Sequence, residues 1–141
     1  MTRAPETVVV RNQLTELERV SHVVEAFGAR HGLPAKVIFE CNLALDEILT
    51  NVISYGYDDA QAHEIVVRLD TEGGAFTIEV EDDARPFNPL DAAAVDVDLP
   101  VEARAIGGLG IHLVRKVMDG LAYRREAGKN VLVMTKSIVG R

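Results

Sequence analysis

Glu47 and Asn51 stand four residues apart in Leu43-Ala-Leu-Asp-Glu-Ile-Leu-Thr-Asn51, a stretch with helical apolar spacing, so their side chains share one face. A carboxylate so placed can take the proton of an attacking hydroxyl, typically worth about 10²–10⁴-fold in rate. An asparagine oxygen is a hard neutral ligand for Mg²⁺, which needs only one or two protein ligands when it bridges phosphates. In Phe76-Thr-Ile-Glu-Val-Glu-Asp82 the apolar residues alternate, and Asp82 has the parity of Phe76, Ile78 and Val80. A carboxylate on a core face is costly unless it meets a donor, and the exocyclic amine of adenine is such a donor. Further on, Ile106-Gly-Gly-Leu-Gly-Ile-His-Leu-Val-Arg-Lys-Val-Met118 sets Gly107, Gly108 and Gly110 at the start of an amphipathic helix. Such a start offers unpaired N–H groups and the positive end of a helix dipole, which suits a phosphate chain. Each feature also has a plain structural reading: a solvated Glu47 with Asn51 ending its helix, an Asp82 capping a strand, glycines packing a helix tightly. In this order, they describe a nucleotide site.

The elements that must position these residues follow from pattern. Three valines within Thr7–Arg11 predict a short strand. Leu14, Leu17, Val20, Val24 and Phe27 recur at helical spacing until Gly32-Leu33-Pro34 ends that helix and starts a second, from about Pro34 to Tyr55. In the second, Val37, Cys41, Ala44, Leu45, Ile48 and Val52 face inward, with Gly56 near its end. His63–Asp70 and Ala75–Glu81 read as strands joined by the turn Glu72-Gly73-Gly74. A lid is expected over about residues 84–106, since Asn88–Ile106 is long, rich in Ala and Asp, and without a period. After the glycine helix, Leu121–Glu126 and Asn130–Ile138 close the chain as a hairpin around Gly128-Lys129. Antiparallel hairpins with helices confined to one face predict a two-layer α/β sandwich with a mixed, mainly antiparallel sheet. That order excludes a P-loop or a doubly wound dinucleotide fold as the reason for the glycines.

Length and charge narrow the function. The 141 residues suffice for one domain with one core. A formal charge of -7 and the lack of a basic stripe argue against nucleic acid or a membrane surface as partner. No apolar run approaches a membrane span and no signal peptide is visible, so a soluble cytoplasmic protein is expected. The single cysteine, Cys41, lies on an apolar helix stripe and reads as a buried structural thiol. His22, His31, His63 and His112 show no metal-ligand spacing with one another or with Cys41.

The three motifs together resemble the GHKL ATPase superfamily of gyrases, heat-shock chaperones and histidine kinases, most closely its anti-sigma factor serine/threonine kinases. Leu43–Asn51 with Tyr55-Gly56-Tyr57 is similar to that family's asparagine box. Asp82-Asp83-Ala84-Arg85-Pro86-Phe87-Asn88-Pro89 is similar to its first adenine-side box, and Gly107–Val114 with Met118-Asp119 to its second glycine box. The resemblance covers nearly the whole chain and implies the Bergerat ATPase fold, here a single histidine-kinase-like ATPase domain over residues 1–141. It implies ATP and Mg²⁺ as cofactors, with Asn51 as metal ligand and Asp82, Ala84 and Phe87 around the base. It places Arg104, Gly107, Gly108, Leu109 and Gly110 at the phosphates and makes Glu47 the general base. The implied partners are a sigma factor and a small antagonist protein carrying the phospho-accepting serine, with homodimerisation through Thr7–Arg11. The chain departs from the family at Ala84, where glycine is usual, and a methyl there is expected to narrow the base pocket. That departure leaves open a nucleotide-gated partner-binding module without kinase turnover. An isolated histidine-kinase ATPase domain fits poorly, because only one short helix, bearing His22 and His31, precedes the asparagine box.

Overall fold

The computed structural model describes residues 5–91 and 108–138. Strand β1 (Glu6–Arg11) leads through a 3₁₀ turn (Leu14–Glu16) into helices α1 (Leu17–Arg30) and α2 (Ala35–Tyr55). Strands β2 (Glu64–Glu72) and β3 (Ala75–Asp82) follow, then a 3₁₀ turn (Pro89–Asp91) and helix α3 (Gly108–Val117). The chain closes with β4 (Gly120–Glu126) and β5 (Lys129–Ser137). The sheet order is β1-β2-β3-β5-β4, and all four pairings are antiparallel, so the sheet expected to be mainly antiparallel is wholly so among the described residues.

Strand alternation sends Val8 and Val10 of β1, Ile65, Val67 and Leu69 of β2, and Phe76, Ile78 and Val80 of β3 to one face. That face packs with the apolar stripes of all three helices into one core, including Val24, Phe27, Leu45, Ile48 and Val114. The outer face is charged: Arg68 donates to Glu79 at 2.6 Å and to Glu81 at 3.3 Å. Such exposed pairs hold register more than they stabilise. The hairpin between β2 and β3 turns on two residues, Gly73 and Gly74, with φ of 60° and 80°. Positive φ at both central positions is the primed turn that matches strand twist, and glycine adopts it without steric cost.

One helix boundary differs from the sequence pattern. Leu14, expected on the buried stripe of the first helix, is 53% exposed in the 3₁₀ turn, and α1 begins three residues later. The tighter 3₁₀ winding rotates Leu14 away from the face that Val20, Val24 and Phe27 bury. Cys41 is fully buried, and desolvation pushes its thiol pKa up to about 12. Beside it Lys136 of β5 is buried on the core face, paired with Glu40 of α2 at 3.0 Å and donating to the Val117 carbonyl at the end of α3.

Candidate functional site

A cavity of about 360 Å³ opens between the C-terminal half of α2, the ends of β3 and β5, and the start of α3. Its wall includes Asn51, Asp82, Ala84 and Phe87 from the expected set, together with Ile48, Ile111, Asn130 and Leu132. Apolar walls with a few convergent polar groups are the usual makings of a small-molecule site.

Asp82 ends the buried row of β3 and is only 4% exposed. Its Oδ1 accepts the Ala84 N–H at 3.0 Å and the Asn130 side-chain amide at 2.9 Å. Among the described residues Oδ2 takes no hydrogen bond, so one carboxylate oxygen is left for a donor in the cavity. Burial raises the Asp82 pKa, against the lowering effect of the Asn130 and Ala84 hydrogen bonds. The next residue behaves differently. Asp83 is exposed, accepts from Tyr57 at 3.0 Å and contacts His63 Nδ1 at 3.2 Å, and those bonds hold its pKa low against a desolvation effect of the opposite sign. Two adjacent carboxylates on opposite sheet faces thus face different surroundings.

Asn51 also lines the cavity, and its buried Nδ2 has no hydrogen-bond partner among the described residues. An orphaned buried amide is costly unless a ligand completes it, and a half-turn of the side chain presents oxygen in place of nitrogen. Glu47 sits one turn earlier on α2, half-buried, and is not part of the cavity wall. Ile111, in the first turn of α3, does line the wall, which brings the N-terminal end of that helix to the cavity. Gly108, Leu109 and Gly110 form that first turn, whereas Arg104 and Gly107 lie outside the described residues.

Ala84 lines the cavity as expected, yet its backbone needs no glycine, since Ala127 is the only non-glycine with positive φ among the described residues. Ala84 packs against a glycine: a Cβ built on Gly56 would meet the Val52 carbonyl oxygen at 2.5 Å and the Ala84 methyl at 2.8 Å, so residue 56 is held to glycine by its own helix end as well as by Ala84. Phe87 is 44% exposed at the rim.

Several residues of the site belong to no sequence motif. Asn130 donates to Asp82 and to the Arg85 carbonyl, both at 2.9 Å, and accepts from Tyr123 at 2.6 Å and from the Phe87 N–H at 3.3 Å. Arg125 of β4 donates to the Ala84 carbonyl at 2.9 Å, and Arg115 of α3 to the Leu90 carbonyl at 2.6 Å. The first part of the expected lid, residues 84–90, is therefore tied to three separate elements, while residues 92–106 of it lie outside the described residues. Parity on β5 was the available clue to Asn130, which shares a face with Leu132 and Met134.

The sequence is 23% identical over 135 residues to the serine/threonine-protein kinase BtrW of Bordetella bronchiseptica, covering 96% of this chain and 95% of that one. It is 29% identical over 117 residues to the anti-sigma F factor of a Thermoanaerobacter species, covering 82% and 81%. It is 27% identical over 135 residues to the serine-protein kinase RsbW of Halalkalibacterium halodurans, covering 92% and 80%. In fold it is similar to the structure of the RsbU and RsbW domains of a Mycobacterium tuberculosis protein, with a TM-score of 0.66 at 12% identity, covering 96% of this chain and 32% of that one. Residues 10–136 match the histidine kinase-like ATPase domain, and with the cavity, the antiparallel sheet and the helical layer in place, the chain belongs to that family, the GHKL type of ATPase.

Proposed function

We propose that this chain is an anti-sigma regulator that binds ATP·Mg²⁺ and phosphorylates a serine or threonine on a small antagonist protein. The observation that carries the reading is the cavity, where a buried carboxylate with one free oxygen stands near an unpartnered buried amide. The names of the relatives, serine kinases and anti-sigma factors, support the reaction class and a sigma factor as partner, and the antagonist follows from the family resemblance. In this reading Asp82 Oδ2 would accept from the adenine amine, Ala84 and Phe87 would flank the base, and the N–H groups of Gly107, Gly108, Leu109 and Gly110 would hold the phosphates. Arg104 adds positive charge there. Asn51 would hold Mg²⁺ through its amide oxygen, and the ion would neutralise phosphate charge. Glu47 takes the proton of the partner's hydroxyl, and positioning supplies most of the remaining acceleration. With a sigma factor and its antagonist as partners, the protein would act in the cytoplasm. Strand β1, at the sheet edge with Val9 43% exposed, is the proposed homodimer contact.

A second reading, a nucleotide-gated binding module without turnover, is favoured by one observation: Glu47 stands outside the cavity wall. Transfer of labelled γ-phosphate to a candidate antagonist protein separates the two. Under the kinase reading, Glu47→Ala should bind ATP within a few fold of wild type but transfer phosphate about 10²-fold or more slowly. Asn51→Ala should lose both metal-dependent affinity and transfer. Transfer by Glu47→Ala at the wild-type rate would remove Glu47 as the base, and tight ATP binding without transfer by the wild type would favour the binding module.

A further inference from the structure

Asn130 lies on β5 opposite Asp82 in the β3–β5 ladder and is 6% exposed. Its amide nitrogen reaches Asp82 Oδ1 and the Arg85 carbonyl at 2.9 Å, and the Ala84 carbonyl at 3.4 Å. Its oxygen receives the Tyr123 hydroxyl and the Phe87 N–H. Every neighbour of the nitrogen is an acceptor and every neighbour of the oxygen a donor, so only one orientation of the amide satisfies the network. One side chain therefore joins the carboxylate that would read the base to the backbone of the segment that follows it.

We propose that Asn130 is a positioning residue for the base: it engages Asp82 Oδ1, so that Oδ2 faces the cavity, and clamps residues 84–87 onto β5. The inference rests on the reading of the cavity as an adenine site. A buried carboxylate needs donors to stay ionised, and Asn130 supplies one of the two that Asp82 has. The other charged or titratable groups around Asp82 are Asp83, the next residue in the chain, Tyr57 from the α2–β2 connection, Tyr123 and Arg125 from β4 and Arg85 on the loop, while α2 contributes Tyr55 to the cavity wall. None of them donates to Asp82 among the described residues.

The test is calorimetric titration of ATP·Mg²⁺ from about pH 8 to about pH 6 into wild type, Asp82→Asn, Asn130→Asp and Asn130→Ala, with circular dichroism to check folding. Wild type should bind with little pH dependence. Asn130→Asp sets a second carboxylate against Asp82, so binding at about pH 8 should weaken at least ~10-fold and recover toward pH 6 as the pair takes up one shared proton. Asn130→Ala should move the other way, weakening further as the pH falls, because Asp82 has lost the donor that keeps it ionised. A folded pair of Asn130 variants with the wild-type pH profile, while Asp82→Asn fails to bind, would overturn the inference and leave the adenine reading standing. Wild-type affinity in Asp82→Asn would overturn both. Failure of both Asn130 variants to fold would overturn the positioning role in favour of a purely structural one.

Discussion

Replacing Asp82 by Asn should separate binding from stability, with effects of different sign. In one amide orientation the new nitrogen faces the Ala84 N–H and the Asn130 amide nitrogen, where the carboxylate now accepts both at 3.0 and 2.9 Å. In the other it faces the adenine amine. Either way two donors confront each other in a site that is 4% exposed. Losing a hydrogen bond to a charged acceptor and leaving a buried donor unpaired together weaken ATP binding by about 2–4 kcal/mol, or ~30- to ~1000-fold. Folding responds differently, because burial raises the Asp82 pKa above its unfolded value. A group of that kind stabilises the fold below its unfolded pKa, and the contribution is lost as pH rises through the folded pKa. At neutral pH the ionised wild-type residue opposes folding and an amide does not. The apo variant should therefore unfold in urea within about 1 kcal/mol of wild type or later, and wild type should gain relative to it as the solution is acidified. Titration with ATP·Mg²⁺ and urea unfolding of the apo proteins measure both effects. Unchanged affinity would show that Asp82 does not face the base. A collapse of stability parallel to the loss of binding would show that its bonds to Asn130 and Ala84 are structural first.

Ala84→Gly should lower apo stability by about 1–2 kcal/mol, from the lost methyl burial against Gly56 and the added freedom of the unfolded chain, with ATP affinity within about threefold of wild type. Clear tightening of ATP binding would mean that the methyl crowds the base. Ala127, held at φ 52° in the two-residue β4–β5 turn, should gain about 0.5–1 kcal/mol as Ala127→Asn in urea unfolding, because asparagine tolerates the left-handed region that alanine resists. No gain would show that the turn relaxes around alanine without cost. Cys41, buried with its pKa pushed up to about 12, should resist alkylation at about pH 8 in the native protein and react once the chain is unfolded in urea. Rapid native labelling would contradict the packed core around it.

The parts of the fold that were legible are those where local pattern and burial coincide. Alternation along Phe76, Ile78 and Val80 was enough to put Asp82 on the core face, because a strand has no other way to arrange its side chains. The apolar stripe of α2 was readable for the same reason, with Val37, Cys41, Ala44, Leu45 and Ile48 all buried. Leu14 misled because a 3₁₀ turn breaks helical phase within three residues. Asn130, Arg115 and Arg125 were silent because their partners lie 25 to 48 residues away. On a strand or helix, a polar residue bound for a buried carbonyl looks the same in sequence as one bound for water. The contact between Gly56 and Ala84 was hidden likewise, since neither residue is unusual until the two are seen together.

The buried polar residues at the two ends of β5 bear on how the chain avoids folding wrongly. Between Asn130 and Lys136 the strand reads Val-Leu-Val-Met-Thr, apolar on both faces in its middle. Hydrophobicity alone barely distinguishes the native face, with Leu132 and Met134 inward, from a strand slipped by one residue with Val131 and Val133 inward. Such a slip would carry Asn130 away from Asp82 and Lys136 away from Glu40, stranding a carboxylate at each end of the core. Removing one partner of a buried charged pair typically costs about 3–5 kcal/mol, far more than exchanging a leucine for a valine. The same contacts that shape the cavity at one end and brace α2 against α3 at the other thus act as a proofreading device for strand alignment.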